Sequence, residues 1–160
     1  MQVIAQLKGL DDERFTKIYE SLAQNGFGPL DSEVAKALKF RPHAVKKLPM
    51  QQRARRAKII LLNSGNAELC YELFGGYLMR HHKELITTFL DETGVDHEDG
   101  MIENTDNAIP QGDKVAAAVA KLDENHDSGD VTLYLSLAAE QWPGVSEVES
   151  VWKLRPDAPD

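Results

Sequence analysis

Apolar residues recur along this chain at intervals of three and four, the spacing of one helix face and not of a half-buried strand. Phe15, Ile18, Tyr19 and Leu22 stand at i, i+3, i+4 and i+7, with Asp11 and Asp12 as start signals and Gly26 as a stop. Asp31 or Ser32 is placed to cap a second helix reaching Phe40, with Val34 and Leu38 inward. Pro42 ends it, because proline drives its predecessor out of the α region. A third helix opens at Pro49, buries Met50, Ala54, Ala57 and Leu61, and closes at Gly65. The longest helical signal covers 66–93 and stops at Gly94. Gly75 and Gly76 interrupt it at a cost of about 2 kcal/mol of helix propensity relative to alanine. A break there is preferred to a kink at a close helix crossing.

Between 95 and 112 the period disappears into a segment rich in Asp, Glu, Asn and Gly. A structureless connection of that length is longer than compact domains usually carry, so it is functional, mobile or partly ordered. Its Asp99-Gly100 pair is flanked by charge and not by strand pattern, so no hairpin is expected. Helices resume with Asp113 as N-cap and Val115, Val119 and Leu122 inward. Another carries Val131, Tyr134, Leu135, Ala138 and Trp142 on one face, preceded by a polar turn with Ser128 or Asp130 as cap. A last short helix spans 146–154 through Val148, Val151 and Trp152. The pattern predicts an all-α fold: a single-domain bundle of roughly six to eight helices with one long acidic loop. Residues 1–154 form the domain and 155–160 a disordered tail.

Charge changes this picture more than composition does. Hydrophobic content of 42% and charge of 28% are ordinary globular values. Yet nine of the 18 lysines and arginines lie within 36–58, where no aspartate or glutamate occurs, although the net charge is -8. Seven acids fall within 91–106. Such segregation steers partners more than it shapes folds, and the acidic loop is the evident counterpart of the basic segment, within the molecule or between copies. The one cysteine, Cys70, sits in an apolar run, which predicts a buried inert thiol and a reducing, cytoplasmic setting. Residues 1–10 have no cationic lead, and the longest apolar run is 115–120, so neither a signal peptide nor a membrane span is expected.

Candidate chemistry is sparse. Arg53, Arg55, Arg56 and Lys58 line both shoulders of the third helix and are the candidate partner-binding residues. Asp123, Asn125 and Asp127 match the first three ligand positions of a calcium loop, but Ser128 replaces its glycine and Tyr134 its bidentate glutamate. His81 and Glu84 share a helical face at i, i+3, with His97 in the following loop as a third weak metal ligand. No Gly-x-Ser-x-Gly elbow and no glycine-rich phosphate loop is present, and no cofactor is expected. The leading expectation is a non-enzymatic helical interaction module with a basic 36–58 and acidic 91–106 surface, binding a protein partner or a second copy. A small metal-binding protein or metal-dependent enzyme using His81, Glu84 and His97 is the alternative. Nucleic-acid binding through 36–58 comes third.

Overall fold

In the computed structural model, which describes residues 2–23, 28–38, 42–106 and 108–160, the described residues form ten helical segments and no named strand. The all-α expectation therefore holds. Eight of the ten are helices that the periodicity predicts; the additions are α1 (Gln2–Gly9) and the one-turn α4 (Pro42–Val45). The Gly26 stop and the Phe40 end of the second helix, with Lys39 and Arg41, lie outside the described residues, as does the side chain of Leu38. No helix among the described residues is long and apolar enough to cross a membrane.

The chain divides into two compact units, residues 3–77 and 78–160. In the first, α2 (Asp12–Ala23) starts as its sequence directs: Asp11 Oδ1 accepts the Arg14 backbone N–H at 2.7 Å, and Phe15, Ile18, Tyr19 and Leu22 are buried. The next helix, α3 (Gly28–Leu38), opens three residues earlier than the expected Asp31 cap. Pro29 stands in its first turn, where a missing N–H costs nothing, so Asp31 lies inside the helix, buried. Helix α5 (Met50–Ser64) buries Ala54, Ala57 and Leu61 and ends on Gly65, whose φ of 61° is the left-handed stop.

Helix α6 (Ala67–His81) runs unbroken through Gly75 and Gly76, so the expected break is not where the glycines are. A Cβ on Gly76 would meet Leu22 of α2 at 3.5 Å, the close helix crossing that the pair permits. The interruption falls instead at His82, which leaves helical dihedrals before α7 (Lys83–Glu92) begins.

The second unit is built around α9 (Ser128–Gln141), whose residues from Gly129 to Ala139 are all buried. This helix is buried on every side, its Asp130, Thr132 and Ser136 included, which is why the single inward face read from sequence understates it. Helices α8 (Gly112–Asn125) and α10 (Ser146–Lys153) pack on it, and Phe89 of α7 meets the Tyr134 ring at 5.1 Å. The caps differ from those expected. Gln111, not Asp113, precedes α8, and Asp127, not Ser128 or Asp130, caps α9 by accepting from the N–H groups of Gly129 and Asp130.

The described residues of the acidic connection are held at several points. Asp99 and Gly100 both take positive φ, 53° and 88°, and Glu98 and Met101 exchange two backbone hydrogen bonds around them. A tight turn of the type that favours Asp-Gly is thus present, closed by an isolated bridge with no named strand on either side among the described residues. The Trp142 indole donates to Ala108 O at 2.8 Å, and the Gln111 N–H to Thr93 O at 2.9 Å. After α10 the chain turns so that Arg155 pairs with both carboxylate oxygens of Asp123 and donates to Thr132 Oγ1.

Candidate functional site

The four residues selected for partner binding separate into two pairs. Arg53 is withdrawn from the surface, at 5% exposure, and is corrected here from a docking to a buried structural residue. It shares the inward side of α5 with Ala54 and Ala57, and α3 delivers Asp31 to it. Arg53 Nη2 lies 2.7 Å from Asp31 Oδ2, and the Tyr19 hydroxyl donates to Asp31 Oδ1 at 2.6 Å. The guanidinium also sits 5.4 Å from the centre of the Tyr19 ring. Each charge would be prohibitive to bury alone; paired and fully hydrogen-bonded, they hold α2, α3 and α5 in one register. Burial, reinforced by the bond to Asp31, keeps the Tyr19 hydroxyl protonated well above the ordinary tyrosine range. For Arg53 burial opposes the charge, but the bonds to Asp31 and Tyr19 outweigh it and its pKa is raised.

Lys58 is also largely covered, its ammonium on Leu10 O and 3.4 Å from Asp12 Oδ1. Arg55 and Arg56 remain outside. Arg55 is 68% exposed and only loosely faces Asp12, at 3.9 Å. With them on the surface stand Lys36, Lys46 and Lys47. Among the described residues Lys36, Lys46, Lys47 and Arg56 have no carboxylate partner. Ile59, one turn beyond Arg55 and Arg56 on α5, is 48% exposed. The candidate site is the exposed side of α5 that carries Arg55, Arg56 and Ile59, together with the exposed Lys36, Lys46 and Lys47 of the same unit.

The acidic segment sorts in the same way. Asp91 bonds His97, Glu92 pairs with Lys121, and Asp99 pairs with Lys83 at 2.7 Å. Asp96, Glu98, Glu103 and Asp106 are exposed and have no cationic partner among the described residues.

The metal candidates do not converge. Asp123 is held by Arg155, the Asn125 amide donates to Lys121 O, and Asp127 caps α9. His97 Nδ1 accepts from the Gly100 N–H at 3.0 Å, so Nε2 carries the proton toward Asp91 Oδ1 at 2.7 Å, and neither ring nitrogen points into open space. His81 ends α6 and Glu84 lies in the first turn of α7, on opposite sides of the break at His82, so the i, i+3 face they were expected to share does not form. Among the described residues no three His, Cys, Asp or Glu side chains are grouped to hold a metal ion. Cys70 is buried, its thiol 3.6 Å from Val3 O. A cleft of about 730 Å³ beside Arg55 is walled by Asp11, Asp12, Glu13, Arg14, Thr16, Lys17, Glu20 and Gln51, a mixture of signs in which the Thr16 hydroxyl donates to Asp12 O.

The Tyr19–Asp31–Arg53 cluster was missed in the sequence. Its trace there is Asp31 itself, an acid between Leu30 and Val34 on the apolar side of a helix. The chain matches no protein-family model, no curated protein and no solved structure.

Proposed function

We propose that this chain is a non-enzymatic helical interaction module that docks an acidic protein segment on the cationic face of its first unit. One observation carries the reading: among the described residues Lys36, Lys46, Lys47 and Arg56 are exposed without carboxylate partners and Arg55 is held only loosely, while Arg53 and Lys58 are engaged at home. Uncompensated charge of one sign steers an oppositely charged partner and sets its orientation. Arginine flanking an exposed isoleucine suits a protein interface, where arginine is enriched and an apolar centre is needed. Nucleic acid fits less well. Apart from Phe40, residues 36–58 contain no Phe, Tyr or Trp to stack on bases.

The test is fluorescence anisotropy with a labelled glutamate-rich peptide, compared with a single-stranded oligonucleotide of equal charge. The peptide should bind, more weakly as sodium chloride rises, and the Arg55→Glu/Arg56→Glu variant should lose about tenfold in affinity, equivalent to about 1.4 kcal/mol. Unchanged peptide binding by that variant, or tighter binding of the oligonucleotide, would overturn the reading.

A further inference from the structure

Resting on that reading, we infer that the acidic segment docked by the cationic face is the 96–109 loop of a second copy of this chain. Four large hydrophobic side chains are exposed among the described residues: Ile59, Met101, Ile109 and Leu154. Three of them stand on the two oppositely charged surfaces. Ile59 follows Arg55 and Arg56 on α5, while Met101 and Ile109, 60% and 57% exposed, lie in the acidic loop. Each surface therefore presents unpaired charge around apolar area, and the signs are opposite.

Among the described residues Asp96, Glu98, Glu103 and Asp106 of the loop have no cationic partner, and Lys36, Lys46, Lys47 and Arg56 of the other surface have no carboxylate partner. The loop is also preorganised for docking. The Glu98–Met101 pairing fixes one acid beside one exposed methionine, and His97 braces the turn through the Gly100 N–H. A preformed turn has less conformational entropy to lose on binding. Met101 and Ile59 would meet at the centre of the contact, with the charges around them.

Because the two patches differ, the contact is heterologous. Each molecule offers one donor loop and one acceptor face, so association runs head to tail and does not close at two copies by symmetry.

That property gives a mixing test in sedimentation velocity. Wild type at low salt should show an average mass that rises with concentration and falls back to monomer in high salt. Arg55→Glu/Arg56→Glu keeps its loop but loses its face; Glu98→Lys/Glu103→Lys keeps its face but loses its loop. Each variant alone should be monomeric, with far-ultraviolet circular dichroism matching wild type, and the two mixed should give a capped one-to-one dimer. Met101→Ser should weaken wild-type association several-fold with little change in its salt dependence. A wild type that stays monomeric at every concentration and salt, or a mixture that stays monomeric while wild type associates, overturns the inference. A glutamate-rich peptide that still binds the wild-type face would in that event leave the acidic-partner reading standing; if that fails too, both fall.

Discussion

Arg53 and Arg55 are two positions apart and have opposite fates. A helix turns each residue about 100° from the last, so Arg53 joins the Ala54–Ala57 side and Arg55 faces water. Replacing Arg53 by Met strands the Asp31 carboxylate in a buried site and should cost about 3–5 kcal/mol in urea unfolding. Combining Arg53→Met with Asp31→Leu and Tyr19→Phe removes every stranded charge and should recover most of that loss. A triple variant no better than the single one would contradict the pairing. Tyr19 adds an alkaline signature. Burial and the Asp31 bond raise its pKa in the folded chain, so its contribution is complete below the unfolded value of about 10 and is lost as pH climbs beyond it. Absorbance titration should find a late tyrosine ionisation that Tyr19→Phe abolishes. The Asp123, Asn125 and Asp127 side chains are held by Arg155, a backbone carbonyl and a helix cap, so calcium should leave the melting temperature unchanged; a clear rise would show a native-state site.

Elements were legible where one face is apolar and the opposite face wet. Helix α2 follows its four-residue stripe, and Gly65 and Gly94 stop helices with φ of 61° and 75°. Legibility failed where a local rule met a tertiary one. Two glycines argue for a break, yet packing of α6 against Leu22 keeps the helix whole. Buried all round, α9 hides its period, and the Asp99-Gly100 turn lacks strand flanks because it serves a loop and not a sheet. The candidate site was half legible. Spacing identified the basic run, but only tertiary packing withdraws Arg53 and Lys58 and leaves Arg55 and Arg56 outside. The glycines make a sharp comparison. Gly75→Ala has open space and Gly76→Ala only an ordinary contact with Leu22, so each should stabilise by about 1 kcal/mol through helix propensity. Gly94→Ala, at positive φ and against the Gln111 side chain, should destabilise. Urea midpoints that fall for Gly75→Ala would contradict the continuous helix.

For the whole molecule, the charge segregation becomes two surfaces with local neutralisation subtracted. In the first unit Asp31 and Asp12 engage Arg53 and Lys58; in the second Lys83 and Lys121 engage Asp99 and Glu92. Among the described residues Lys36, Lys46, Lys47 and Arg56 of the first unit, and Asp96, Glu98, Glu103 and Asp106 of the loop in the second, have no ion-pair partner. Exposed pairs contribute little to stability, at about 0–1 kcal/mol each, so replacing these unpaired charges should barely change the folding free energy. Their reach is set by a Debye length of about 8 Å at physiological salt, so docking should weaken as salt rises. The most direct measurement is a nuclear magnetic resonance titration of the labelled protein with a glutamate-rich peptide, following backbone amide shifts. The account predicts saturable shifts centred on Lys46, Lys47, Arg55, Arg56 and Ile59, abolished by Arg55→Glu/Arg56→Glu with the remaining spectrum unchanged. Shifts confined to other surfaces, or none at millimolar peptide in low salt, would contradict it.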